Sequence, residues 1–205
     1  MSYKSRDEAA AKLIEELSAY RGEHPLILAI PRGAVPMGKQ IADALDGELD
    51  VVLVRKLGAP GNPEYAIGSV DESGFVQINK EAGFSEDDPY VKEETARQLE
   101  TIRSRRKSYT PQREPIDLAN RTVIVVDDGI ATGSTMLAAL KAIKSQKPAK
   151  LVVAVGVAPA EAIKRIQKEV DEVVCPKIPK LFFAVGQFYS EFAQVSDEEV
   201  ITLLK

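Results

Sequence analysis

The chain has 205 residues and a formal net charge of −4; 44% apolar and 28% charged positions give the profile of a globular protein able to bury one sizeable core. That acidic balance excludes the basic stripe of a general nucleic-acid binder, no run nears the roughly 20 apolar residues of a membrane helix, and the N-terminal MSYKSRDEAAAKL lacks the apolar stretch of a signal peptide, so a cytoplasmic protein without nucleic-acid or membrane partners is expected. A single cysteine, Cys175, and a single histidine, His24, exclude an internal disulfide and the usual zinc sets, which leaves the chemistry to carboxylates, hydroxyls, amides, cations or a hard metal ion.

In chain order, Ala10, Leu13, Ile14 and Leu17 fall at helical spacing and predict an amphipathic helix from Arg6 to Tyr20, ended by Gly22. Leu26 to Ile30 is a short apolar run suited to a strand buried on both faces. PRGAVPMG follows, then a helix from about Met37 to Leu45, then a second strand at Val51 to Val54. A β-α-β unit of this kind crosses over right-handed and makes a parallel sheet. The middle differs: LGAPGNPEYAIG is rich in Gly and Pro, and Tyr65 to Val70 and Phe75 to Ile78 flank DESG as a hairpin. A charged helix over Pro89 to Tyr109 sets Val91, Thr95, Leu99 and Ile102 on one face. Arg97, Arg103, Arg105, Arg106 and Lys107 lie elsewhere, as a solvated basic face.

Strands at Val123 to Val126, Leu151 to Val157 and Val173 to Val174 then alternate with helices at Ser134 to Ile143 and Glu161 to Lys168. The alternation predicts an α/β fold with a Rossmann-like, doubly wound, mainly parallel sheet, whose ligands sit beyond the C-terminal ends of the strands. Three loops directly after strands are therefore candidates for one crevice: PRGAVPMG, RKLGAPGNPE and DDGIATGST. In the last, Gly129 and Gly133 let backbone N–H groups turn inward where a helix begins, an arrangement that favours phosphate. Thr132, Ser134 and Thr135 add hydroxyl donors. Asp127 and Asp128 stand just before this nest, where two carboxylates repel a phosphate but suit a neutral diol or a hydrated metal ion. Phosphate beside diol describes a ribose 5-phosphate. A nucleotide P-loop would need a lysine that GIATGST lacks, and Gly33 to Gly38 reads GAVPMG in place of a dinucleotide GxGxxG.

The run VIVVDDGIATGST, from Val123 to Thr135, resembles the phosphoribosyl pyrophosphate signature of type I phosphoribosyltransferases: four apolar strand residues, two acidic ones, and a loop ending in T-G-x-[ST]. Through PRGAVP, VVLVRKLGAPGNPE and VDDGIATG the chain is similar to a group known mainly as predicted phosphoribosyltransferases, which lacks a settled substrate. The resemblance implies one domain over 1–205, with an inserted loop, hairpin and helix at 57–113 and a hood and C-terminal segment at 175–205. It implies that Ala131, Thr132, Gly133, Ser134 and Thr135 hold the 5-phosphate and that Asp127 and Asp128 hold the ribose hydroxyls. Magnesium as cofactor is then held by the two aspartates indirectly, through ribose hydroxyls or water. Pro31, Arg32, Gly33 and Ala34 form the pyrophosphate loop, which in that family often contains a non-proline cis peptide. Arg55 and Lys56, read as the end of the second strand, supply a cation to the pyrophosphate. Adjacent strand residues point to opposite faces, so one of the two serves, and Lys56 is favoured.

The activity implied is displacement of pyrophosphate from the anomeric carbon by a nitrogen acceptor, possible nucleobases included, with Asp127, Asp128, Lys56 and Arg32 as the catalytic set. Alanine at position 131, where hypoxanthine- and guanine-using members carry an aspartate, makes a 6-oxopurine acceptor the less favoured one. Phe182, Phe183, Phe188 and Tyr189 fall where the family places part of the acceptor hood, although such clusters more often form core. Family members often dimerise, which makes a homodimer one option, but the sequence offers no decisive patch and leaves the oligomeric state open. The rival readings are a non-catalytic regulator that senses phosphoribosyl pyrophosphate and a metal-dependent sugar (pyro)phosphate hydrolase.

Overall fold

A computed structural model describes residues 2–205, excepting the side chains of Glu64 and Lys80. The helices are α1 (Arg6–Glu16), α2 (Val35–Leu45), α3 (Pro89–Tyr109), α4 (Ser134–Ser145), α5 (Ala160–Ile166) and α6 (Asp197–Leu203). The strands are β1 (Leu26–Ala29), β2 (Glu48–Val51), β3 (Val54–Ala59), β4 (Asn62–Asp71), β5 (Val76–Ile78), β6 (Thr122–Asp127), β7 (Lys150–Val155) and β8 (Glu172–Val174). They fall into two compact units, one of Met1–Val52 with Glu114–Lys205 and the other of Leu53–Arg113.

The larger unit holds a five-stranded parallel sheet in the order β2-β1-β6-β7-β8. Its central strands are apolar throughout because both faces are covered: β1 is buried along its length, as are Val123 to Val126 and Leu151 to Val155. α1 and α6 pack on α2, which lies against β1, β2 and β6. Strand order runs outward from β1 to β2 in one direction and from β6 through β7 to β8 in the other, so right-handed crossovers put α2 and α4 on opposite faces. The reversal leaves a switch point between β1 and β6, where the following loops separate to opposite sides and open a crevice.

The smaller unit is a three-stranded antiparallel sheet, β3-β4-β5, with the 21-residue α3. The hairpin read around DESG is present: Val70 pairs with Val76, and Asp71 accepts the amide of Phe75 at 2.8 Å. α3 starts on Asp88, whose carboxylate caps the Tyr90 amide, with Pro89 at its first position. Val91 and Ile102 are buried as their spacing requires, and Glu94 and Tyr109 join them.

The predicted second strand is corrected. The apolar run Val51 to Val54 is divided between the two sheets: β2 begins at Glu48 and its register with β1 ends at Val51 opposite Ala29, where β1 also ends. The early start follows from Gly47, where a Cβ would lie 2.4 Å from the Pro25 carbonyl oxygen, and from the Glu48 amide, which bonds that same oxygen at 3.0 Å. Val54 then opens β3, so Arg55 and Lys56 are not at the C-terminal end of a parallel strand. They sit within an antiparallel ladder opposite Val70 and Ser69. The first helix is also shorter than its periodicity suggested, with a separate 3₁₀ turn at Ser18–Tyr20.

Candidate functional site

The crevice at the switch point is built by the loops after β1 and β6, held side by side where Ile30 N–H donates to Val126 O at 3.0 Å. After β1 come Pro31, Arg32, Gly33 and Ala34, and the Pro31–Arg32 peptide bond is cis. Ala34 is buried and caps α2 by its backbone alone, its carbonyl accepting the Gly38 amide at 2.8 Å, and the turn before it closes through Val35 N–H to Arg32 O at 3.1 Å. Arg32 Nη1 lies 3.8 Å from Asp197 Oδ2, a loose pair in water with little hold on either group.

After β6, Asp127 Oδ1 accepts the amide of Asp128 at 2.9 Å. Burial, and after it the neighbouring Asp128 carboxylate, pushes the Asp127 carboxyl well above the usual carboxylate range. The loop then turns through Gly133 at φ +81°, a left-handed conformation that glycine adopts without strain, into α4. The first helical bond of α4 is Leu137 N–H to Gly133 O at 2.8 Å, so the amides of Ser134, Thr135 and Met136 precede the ladder and point out of the helix start. Thr132 and Ser134 share a hydroxyl contact of 3.2 Å, and Ala131, Thr132, Ser134 and Thr135 are all exposed around buried Gly133. Amides, hydroxyls and the positive end of a three-turn helix thus converge on solvent beside two carboxylates, an arrangement that can hold a phosphate and a diol together.

Three features of this region escaped the sequence reading. Arg6 Nε donates to Asp128 Oδ2 at 2.8 Å, although 122 residues separate them. Gly33 is there for space: a Cβ on it would stand 2.2 Å from that same Asp128 oxygen and 3.1 Å from Arg6 Nη2. Tyr189 donates its hydroxyl to the Asp128 carbonyl, which burial and then the Asp128 charge make costly to ionise. Arg6 opens a helix and was read only through the apolar face of that helix, and nothing local to Tyr189 names its partner.

Among the C-terminal aromatics, Tyr189 is core, stacked with Phe192 at 5.0 Å and tilted on Tyr3 at 5.4 Å. Phe182 and Phe188 form a half-buried pair, and Phe183 is 85% exposed. This segment is tied to the start of the chain by Tyr3 N–H to Phe188 O, Ser190 N–H to Tyr3 O and Glu191 N–H to Lys4 O, each at 2.8 Å. Val185 sits on the β6 loop, leaving no room for a Cβ at Gly129. Cys175 is only partly buried, not the fully buried small hydrophobe its VVCP setting suggests: its sulfur donates to Lys177 O at 3.3 Å, and desolvation raises the thiol to about 11.

Arg55 and Lys56 belong to the smaller unit. Arg55 is half-buried with Nε donating to Gln98 Oε1 at 2.9 Å, whereas Lys56 is exposed, so the two do face opposite sides of β3. Arg106, considered above with the basic face of α3, is held in its own unit by Glu72 through two bonds of 2.8 and 2.6 Å.

Among the described residues, no group of three or more His, Cys, Asp or Glu side chains converges as a metal cage. Asp127 and Asp128 are hard oxygen donors of the type magnesium takes. One Asp128 oxygen is already bonded to Arg6 and one Asp127 oxygen to an amide. No helix among the described residues is long and apolar enough to cross a membrane.

Fold and site together define an α/β protein with an amide nest and an acidic pair at the switch point of a parallel sheet. The chain belongs to the phosphoribosyl transferase family: the model of the phosphoribosyl transferase domain matches residues 2–192. It is 37% identical over 204 residues to a Mycobacterium tuberculosis protein named "Putative phosphoribosyl transferase Rv0571c", covering 98% of this chain and 46% of that protein, so the chain spans about half the length of this relative. Among solved structures it is similar to TT1426 from Thermus thermophilus, with 42% identity, a TM-score of 0.89, and 100% and 98% of the two chains covered. A purine phosphoribosyltransferase from Pyrococcus horikoshii shares the fold, at 16% identity and a TM-score of 0.52 over 96% of this chain and 95% of that one.

Proposed function

We propose that the chain is a phosphoribosyltransferase that binds 5-phosphoribosyl 1-pyrophosphate with magnesium and transfers the phosphoribosyl group to a nitrogen acceptor, nucleobases being the first class to test. The observation that carries this reading is the amide nest at Ala131 to Thr135 directly after the Asp127–Asp128 pair, at the sheet's switch point. The nest suits the 5-phosphate, and the acidic pair suits the ribose hydroxyls. Pro31, Arg32, Gly33 and Ala34, in the loop across the crevice, suit the pyrophosphate through backbone amides and one cation. Of the two cations in β3, Lys56 is favoured over Arg55 as the cation for the pyrophosphate on the family resemblance alone.

In the reaction a C–N bond forms at the anomeric carbon as the C–O bond to pyrophosphate breaks, and the pyrophosphate leaves with the electron pair. The sugar passes through a cation-like state. Asp127 and Asp128 set carboxyl oxygens beside that sugar in a fixed geometry, so stabilisation needs no reorganisation as charge develops. Magnesium, when bound, supplies further neutralisation of the pyrophosphate. The nest holds the phosphate end, so the anomeric carbon is presented to an acceptor in one orientation.

The test is calorimetric titration of phosphoribosyl pyrophosphate, with and without magnesium, into the wild type and an Asp127→Asn/Asp128→Asn variant. Magnesium-dependent binding that is lost in the variant is expected, and pyrophosphate release in a screen of nucleobases then identifies the acceptor. Absence of binding by folded wild type overturns the reading.

A further inference from the structure

We infer that Arg6 is a positioning residue of the ligand site, acting through Asp128; the inference rests on the phosphoribosyltransferase reading above. Arg6 is the first residue of α1, where the helix dipole favours acidic groups, and Asp7 and Glu8 follow it as that rule expects. A largely buried cation set against the local helix electrostatics points to a role outside the helix.

That role is visible in what the guanidinium touches. Nε donates to Asp128 Oδ2 at 2.8 Å, Nη1 donates to Ala193 O at 2.7 Å, and the central carbon lies 4.0 Å from the centre of the Phe192 ring. Nη2 runs beside Gly33, 3.1 Å from where a Cβ would stand. One planar fork therefore spans the loop after β1, the loop after β6 and the C-terminal segment. A lysine, with a single charged head, does not match that geometry. The side chains of Arg6 and Asp128 are only 13% and 12% exposed, so water and salt screen the pair weakly.

Two adjacent carboxylates beside a phosphate nest carry an electrostatic penalty: they repel each other and the anionic ends of the ligand. Arg6 offsets the repulsion around Asp128 through one of its oxygens and fixes its rotamer against Gly33, so the carboxylate meets a sugar already oriented. Without Arg6, Asp128 keeps its charge, loses its orientation and adds repulsion toward every phosphate bound nearby. The Ala193 and Phe192 contacts also tie the placement of Asp128 to the C-terminal segment.

The experiment titrates phosphoribosyl pyrophosphate with magnesium into wild type, Arg6→Gln, Arg6→Lys, Asp128→Asn and the Arg6→Gln/Asp128→Asn pair, with the melting temperature of each recorded. Arg6→Gln is expected to bind roughly tenfold more weakly, the size of one charge-assisted hydrogen bond. Arg6→Lys, which keeps the charge but not the fork, is expected to lose about threefold. In the double variant the Arg6 change is expected to add less than about twofold to the loss from Asp128→Asn, because the effect passes through that carboxylate. Folded Arg6→Gln with wild-type affinity, or losses that simply add, overturns the inference while leaving the function standing. If Arg6→Gln does not fold, Arg6→Lys with unchanged affinity overturns it. No binding by the wild type overturns the proposed function itself.

Discussion

Gly33→Ala is the most direct probe of how the two loops fit together. Gly33 is not in the left-handed region, so the backbone accepts alanine, and only the space beside it is at issue. The new methyl would stand 2.2 Å from Asp128 Oδ2 and must reach ordinary contact at about 3.4 Å, a displacement of roughly 1.2 Å. The carboxylate moves in preference to the backbone, and its bond to Arg6 at 2.8 Å then opens to about 4 Å, beyond hydrogen-bonding reach. A charge-assisted hydrogen bond of this kind contributes about 1.5–3 kcal/mol. For a chain of this length each kcal/mol shifts the midpoint by about 2–4 °C, so thermal unfolding followed by circular dichroism is expected to fall by about 3–12 °C. The same substitution in an Asp128→Ala background has no carboxylate to displace and is expected to cost under about 0.5 kcal/mol. A Gly33→Ala protein that melts within about 1 °C of wild type refutes the steric argument.

Asp127→Asn is expected to stabilise the protein at neutral pH. The folded carboxyl is raised by burial and by Asp128, so the folded state holds its proton more tightly and stability falls as pH climbs from the ordinary carboxylate range through the raised value; urea unfolding across a pH series should show that fall in wild type and not in the variant. Cys175, raised to about 11 from 9.0, should react with a disulfide reagent at pH 8 about a hundredfold more slowly than an exposed thiol, and rates within about threefold of a free thiol would contradict that rise. Arg106→Ala leaves Glu72 without its bidentate partner; their side chains are 11% and 23% exposed, so a loss of about 2–3 kcal/mol in urea unfolding is expected, and no loss would return Arg106 to the solvated basic face.

What was legible in the sequence is what is encoded locally. VIVVDDGIATGST carries its strand, its turn glycine and its helix start within one segment, and β6, Gly133 and α4 follow it closely. DESG and the face of α3 were readable for the same reason. The second strand was not, because an apolar run has no period that says which partner each residue takes: Val51 pairs with Ala29 and Val54 with Asp71, in different sheets. Arg6 was hidden for the complementary reason. Its helix was predicted, but a side chain's partner 122 residues away is set by topology and not by spacing. A cation at the first position of a helix whose next two residues are acidic was the one signal available, and it is a signal of mismatch rather than of role.

The topology also bears on how an acidic pair is tolerated beside the amide nest proposed to hold a phosphate. The backbone at the end of β6 is fixed on both sides by β1 and β7. Left to themselves, two such carboxylates in partial burial would repel strongly. The two are relieved in different ways: Asp127 by holding its proton more tightly and by accepting backbone amides, Asp128 by Arg6. The relief of Asp128 comes from the start of α1, and that segment is in turn bonded to residues 188–191. The acidic pair is therefore organised by both extremities of the described chain, and substitutions there can reach the site without touching a ligand.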